Sequence, residues 1–230
     1  MNYKEYQAQE EARLAICIRH LEAGVNFVDI RTAYIDEAVV IGAGTLIGPC
    51  VTLEGKTVIG ENCRILQNSR IVDSVIGDGA EIQSSVVTDS QVGQRTKVGP
   101  FAYLRPGSRI GSDCKVGDFV EVKNSSFGDG SKASHLTYIG DSDVGRNVNI
   151  GCGVVFVNYD GTNKHRTTVG DGAFIGCNTN LVSPVKVEDG AYIAAGSTVT
   201  EDVPEDALCI ARARQKNIRG WAAEKGLYRK

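Results

Sequence analysis

No stretch of this 230-residue chain carries an apolar run approaching 18 residues, which excludes a helical membrane span. No N-terminal signal pattern precedes the first charged segment, so a cytoplasmic protein is expected. Neither sign of charge dominates: 25 Lys and Arg stand against 28 Asp and Glu, a net charge of −3. A broad basic field for nucleic acid and a polybasic membrane anchor are thereby excluded. A phosphate ligand would have to be held by a local group of Arg and Lys. The seven cysteines (Cys17, Cys50, Cys63, Cys114, Cys152, Cys177 and Cys209) are odd in number and form no CxxC pair, so the chain shows no disulfide framework and no metal site is expected. They read as reduced residues packed as small side chains.

What the chain does have is a beat. Aliphatic residues return every six positions at Ile41, Ile47, Leu53, Ile59, Ile65 and Ile71, often followed by Gly, as at Gly42, Gly48 and Gly60. The spacing shortens by one here and there through Ile76, Ile82, Val87 and Val92, then resumes at Val98, Leu104, Ile110, Val116 and Val122. It continues through Ile139, Val144 and Ile150, breaks between Asn158 and Thr168, and restarts at Val169, Ile175, Leu181, Val187, Ile193 and Val199. A period of six fits neither the two-residue alternation of a long strand nor the 3.6 residues of a helical turn. It fits a short strand plus a tight corner, three of which close one triangular coil with the aliphatic residue inside. Coils that lend their backbone hydrogen bonds to the next make an all-β solenoid, a parallel β-helix of hexapeptide repeats. A β-sandwich, with turn signals every 8 to 12 residues, is the alternative that this long phase disfavours.

The division expected is an N-terminal helical arm and entry segment over 1–33, the β-helix over 34–203 and a tail over 204–230. Residues 3 to 23 have helix-favouring composition and Gly24 would end the helix. The arm either caps the open first coil, as a solenoid requires, or docks elsewhere. Polar residues cluster in the middle of the repeat, and positions one coil of about eighteen residues apart stack. Arg105, Lys123 and the run His135–Tyr138 are therefore expected near one another. The interruption between Asn158 and Thr168 reads as an ejected loop of a length that usually marks function.

The phrases Leu104-Arg105-Pro106-Gly107, Glu121-Val122-Lys123, Lys132 through Tyr138, Asn147 through Gly151, Asn158-Tyr159-Asp160-Gly161 with Asn163-Lys164, and Ile193 through Thr200 resemble the C-terminal acetyltransferase half of the bacterial bifunctional enzymes that acetylate glucosamine-1-phosphate and then uridylylate it. The resemblance runs from the arm to about Trp221. It implies a left-handed β-helix, a homotrimer with the acyl site between subunits, and acetyl transfer from acetyl-coenzyme A to the amine of glucosamine-1-phosphate, a precursor step for cell-wall sugar nucleotides. Uridylyl transfer is not expected, because no Gly-rich nucleotide loop is present. The alternatives are an acyltransferase for another amino sugar or sugar nucleotide, and a non-catalytic trimeric scaffold.

Acetylating an amine requires a base for the ammonium proton, a held thioester and stabilisation of the oxyanion. An imidazole, with an unperturbed pKa of about 6.5, suits the first task. Of the three histidines only His135 lies in a matched phrase; His20 and His165 are expected at the surface. Glu121 would orient His135 or the sugar hydroxyls. From the resemblance, Arg105 and Lys123 grip the sugar phosphate, Tyr138 and Asn149 complete the sugar site, and Asn158 with Tyr159 lies where amine and thioester meet. Coenzyme contacts are implied at Cys152, Asn158, Tyr159, Lys164, Cys177, Ala195 and Arg212. Cys152 and Cys177 replace the Ala and Ser common in that family. No covalent acyl-cysteine is required.

Overall fold

The computed structural model describes residues 1–227. The arm is a single helix, α1 (Tyr3–Glu22). Asn2 caps it reciprocally: its side chain accepts from the Glu5 N–H at 3.0 Å, while the Glu5 carboxylate accepts from the Asn2 N–H at 2.9 Å, so that two otherwise orphaned donors are satisfied. Gly24, at φ +91°, turns the chain into the first coil. The helix lies on that coil through Cys17 and His20, its two buried residues, whereas Ile18 and Leu21 remain exposed. Arg13 pins the contact, donating to the Ala33 and Ile30 carbonyls at 2.7 and 3.3 Å. His20, expected at the surface, is therefore a buried residue. Its Nε2 finds no partner among the described residues, and burial pushes its pKa down.

From Asn26 onward the chain is a stack of strands of two to four residues. Successive strands belong to three different parallel sheets of eleven, ten and nine strands, and three successive strands make one triangular turn of a left-handed β-helix. The first face begins with Asn26–Phe27, the second with Tyr34–Ile35 and the third with Val40–Ile41. Most coils hold 17 or 18 residues. Ile65 pairs with Ile47 below it and with Ile82 above it, and the five-residue steps in the beat are what shorten a coil.

Every aliphatic residue of that beat is buried. The positions between Val122 and Ile139 that the aliphatic count skips are filled by Phe127 and Ala133, and Phe156 fills the last one before the loop. Small hydroxyl residues sit one step behind the aliphatic row and donate to carbonyls, as Thr45 does to Gly60 at 2.8 Å. Cys63 and Cys114 occupy equivalent places, each Sγ lying 3.2 Å from a carbonyl, of Gly77 and Gly128 respectively. These two and Cys17 are the buried small residues expected. Cys50 and Cys177 are instead exposed at corners. All seven cysteines are free. The chain leaves the stack after Leu208–Cys209, and a short exposed helix, α2 (Trp221–Glu224), follows. The last three residues of the tail expected over 204–230 lie outside the described residues.

Candidate active site

His135 ends the strand Lys132–His135 on the first face, where it pairs with Lys115–Asp118 of the coil below. The register sets Asp118 directly under it, and Nδ1 of His135 lies 2.6 Å from an Asp118 carboxylate oxygen. That hydrogen bond holds the Asp118 carboxyl below the ordinary range. The Thr137 hydroxyl donates to the His135 carbonyl at 2.8 Å and fixes the backbone at the corner. Glu121, expected to orient His135 or the sugar hydroxyls, is on the second face and is engaged by Arg105 at 2.7 Å. Orientation of His135 within the chain thus comes from Asp118, a residue that sequence reasoning missed.

Arg105 and Lys123 do stack, since Leu104 pairs with Val122 just before them. One coil further, Tyr138 pairs with Glu121, and Gly140 with Lys123. Lys123 lies 3.6 Å from the buried Asp141, whose carboxylate also accepts from Asn124 at 2.6 Å and from Asn158 at 2.5 Å. Burial favours the neutral acid at Asp141. The two amide donors and the charges of Lys123 and Lys164 outweigh it and hold the carboxyl below its usual range. Asn158 also donates to the Tyr138 hydroxyl at 3.4 Å. Gly140 makes room for this pair: a Cβ there would collide with the Tyr138 hydroxyl and the Asn158 amide. Lys164, assigned by resemblance to the coenzyme, lies against Lys123. The hydrogen bond with Lys123, followed by its charge, pushes Lys164 below the ordinary lysine range, while that hydrogen bond and the charge of Asp141 push Lys123 up, so Lys123 is the donor and Lys164 the acceptor of the pair. Three basic side chains therefore gather at one spot with the carboxylates of Glu121 and Asp141 among them.

Tyr159 and Lys164 bridge the two stems of the ejected loop, whose tip is an Asx turn. One carboxylate oxygen of Asp160 accepts from Thr162 and Asn163 at 2.7 and 2.6 Å, and the other meets His165 at 2.7 Å. The Asn163 and Thr162 amides and His165 push Asp160 down to about 2. His165, expected as an uninvolved surface residue, is thus the loop's internal clasp. Arg166 closes the base, forking onto Asp143 and donating to the Asn124 and Ser142 carbonyls at 3.1 Å each.

The residues implied for coenzyme fall on one corner. Asn178 donates to the Cys152 carbonyl and Gly196 to the Cys177 carbonyl, both at 2.8 Å, and Arg212 flanks Gly196 on the next level. Cys152, Cys177, Ala195 and Arg212 thus form a column between the first and second faces. The same corner continues downward to His135, because Gly153 donates to the Leu136 carbonyl at 2.9 Å. Asn149 is not brought to the sugar cluster. It pairs with Lys132 and Phe174 on the first face, while Arg105, Lys123 and Tyr138 belong to the second. The whole arrangement is open in a single chain, with the His135 side chain 55% exposed and Arg105 38%.

Residues 89–124 and 166–201 match the family described as bacterial transferase hexapeptide (six repeats). The bifunctional protein GlmU of Clostridium beijerinckii is 57% identical over 221 residues, 96% of this chain and 49% of that protein. The bifunctional protein GlmU of Alkaliphilus oremlandii is 58% identical over 232 residues, covering all of this chain and 51% of its own length. The chain belongs to the hexapeptide-repeat part of the GlmU family. It spans about half the length of the curated GlmU relatives it matches. Among solved structures, the UDP-N-acetylglucosamine acyltransferase LpxA of Bacteroides fragilis superposes with a TM-score of 0.57 at 18% identity, over 77% of this chain and 69% of that one. The Francisella novicida UDP-N-acetylglucosamine acyltransferase does so with 0.53 at 18%, over 86% and 73%. At that identity LpxA shares with this GlmU relative the coiled fold alone.

Proposed function

We propose that the chain is an acyltransferase that moves the acetyl group of acetyl-coenzyme A to the amine of glucosamine-1-phosphate, giving N-acetylglucosamine-1-phosphate. The observation that carries this is the corner column of Cys152, Cys177, Ala195 and Arg212 standing directly above His135, beside a second face on which Arg105, Lys123 and Lys164 crowd together. The column offers a groove floor of small residues for an extended pantetheine arm, with a cation at its upper end for the coenzyme phosphates. The cation cluster offers a phosphate a guanidinium fork and two point charges. A phosphate placed there would meet Arg105, Lys123 and Lys164 with opposite charge.

In the reaction, the neutral amine nitrogen attacks the thioester carbonyl carbon. The N–C bond forms, the C–S bond breaks and the electron pair leaves on the coenzyme sulfur. His135 Nε2 takes the proton released by the nitrogen and returns it to the thiolate, so that amide and free thiol are the products. Asn158 and Tyr159 border the junction of the two substrates. We assign acyl transfer alone to these residues.

Because His135, Arg105 and Glu121 lie on open surface in one chain and Asn149 sits on a different face, the site is completed by a second copy in a homotrimer whose neighbour brings its first face to the second face of this one. The arm over 1–33 covers the start of the coil and the tail beyond 204 flanks the coenzyme end. The test is thiol release from acetyl-coenzyme A with glucosamine-1-phosphate, glucosamine-6-phosphate and free glucosamine offered in parallel. Release with the 1-phosphate alone is expected. Equal release with free glucosamine would remove the phosphate grip from Arg105, Lys123 and Lys164.

A further inference from the structure

We propose that Asp118 is a positioning residue for His135, fixing the imidazole with its proton on Nδ1 and its lone pair on Nε2, and that the two act as a carboxylate–imidazole dyad in amine deprotonation. This rests on the acetyltransferase reading and goes beyond it, since no phrase that supports that reading contains Asp118.

The geometry is specific. Asp118 and His135 are register partners on neighbouring coils, and Nδ1 meets the carboxylate at 2.6 Å, at the short end for a hydrogen bond to an ionised acceptor. A carboxylate has no proton to give, so the bond exists only if Nδ1 donates. Nε2 is then an acceptor, and no hydrogen bond from the described residues occupies it. The backbone fixes both partners. Leu136 donates to the Asp118 carbonyl at 2.9 Å, and Gly117 leaves no room for a Cβ against the Ser134 backbone, so the two corners nest and the side chains cannot slide apart. Glu121 cannot substitute, being held by Arg105.

The charged and titratable neighbours are few. Lys115 and Lys132 stand outward on the same two strands, Cys152 occupies the corner above, and Asn149 on that coil is neutral. Lys115 reinforces ionisation of Asp118. When His135 takes up the substrate proton, the pair becomes imidazolium–carboxylate, so Asp118 stabilises the state that proton transfer produces.

The test compares Asp118→Asn, which keeps an acceptor but removes the charge, with Asp118→Ala, which removes both. The first readout needs no substrate: ¹⁵N shifts of the imidazole nitrogens in the full chain, with the His135 signals assigned through His135→Gln. The wild type should show the Nδ1–H tautomer at His135, and Asp118→Ala should populate the Nε2–H form. The second readout is kcat/KM against pH. Asp118→Ala is expected to lower kcat by about 10- to 100-fold, with KM for acetyl-coenzyme A within about twofold. Asp118→Asn should move the acid limb of the profile toward lower pH, because the carboxylate that favours the imidazolium is gone. An unchanged tautomer in Asp118→Ala, or an unchanged acid limb in Asp118→Asn, overturns the proposal. A fully active His135→Ala would likewise overturn the dyad, whereas a wild type that releases no thiol would instead overturn the acetyltransferase reading and leave the tautomer result standing as a separate answer.

Discussion

At the scale of single residues, the crowding of Arg105, Lys123 and Lys164 sets a test. A phosphate that enters meets them with opposite charge, so losing one lysine should weaken binding. Lys123→Ala is expected to raise KM for the sugar phosphate by about tenfold or more, the worth of a charge-assisted hydrogen bond, and also to lower the melting temperature, because the buried Asp141 loses its ammonium partner. A KM that does not move would exclude the cluster as the phosphate grip. Removing the proposed base is harsher. His135→Ala should lower kcat by about 10² to 10⁴ while circular dichroism and melting stay close to those of the parent, because the side chain is half-exposed and its partner Asp118 is solvent-accessible too. Gly140 supplies a steric counterpart. In Gly140→Ala the new methyl meets the Tyr138 hydroxyl and the Asn158 amide, so the mutant is expected to lose activity through both substrates at once, seen as higher KM for sugar and coenzyme together.

At the scale of elements, α1 carries a pH dependence near neutrality, whereas the depressed carboxyls of the coil act in the acid range. His20 is buried with its pKa lowered, whereas in the unfolded chain it titrates near 6.5. Below that pH the unfolded chain binds a proton that the folded chain refuses, so stability falls as pH drops through about 6.5. The urea midpoint should decline between pH 7.5 and 5.5, and His20→Leu should flatten the decline. An identical slope in the variant would show that His20 is solvated after all. The elements also explain what could be read in advance. The six-residue beat was legible because one aliphatic residue per strand must fill a narrow prism, and the five-residue steps were visible as a shortened spacing whose effect on coil length was not drawn. Asp118 was not. Arithmetic at eighteen residues puts Gly117 beneath His135, while the actual coil there holds seventeen, so a single shortened corner moves the carboxylate into place. The pairing of Lys164 with Lys123 was hidden for a different reason, since an ejected loop has no period from which to calculate. Asn149 was named from its phrase alone, and its face follows from register, which puts it beside Lys132.

At the scale of the whole molecule, the core is a narrow column inside the prism, filled by one side chain from each of the three faces per coil and continuous from Ile35 to Val203. Phe156, fully buried, sits in that core next to the loop. Phe156→Ala is expected to cost about 3 to 5 kcal/mol, and because each coil contacts only its neighbours the damage should stay local. Hydrogen exchange should rise in the coils flanking residue 156 and not in those around Ile59. Uniform acceleration along the chain would mean that the solenoid melts as one unit.

The coil-by-coil stacking makes position in the chain a coordinate in space. Apart from the ejected loop that folds Lys164 back to Lys123, residue number increases along the prism axis, so the proposed binding parts lie on it like marks on a ruler: the proposed phosphate grip begins at Arg105, the proposed base follows at His135, and the proposed coenzyme column rises through Cys177 and Ala195 to Arg212. Shortening the chain from its C-terminus therefore removes abilities in a fixed order. A chain ending at Val203 keeps every residue of the phosphate grip and the base while losing Arg212, the only cation of the column. Such a chain should still hold a sugar phosphate while binding coenzyme A poorly, a separation that a globular enzyme, whose site is gathered from scattered segments, could not offer by truncation.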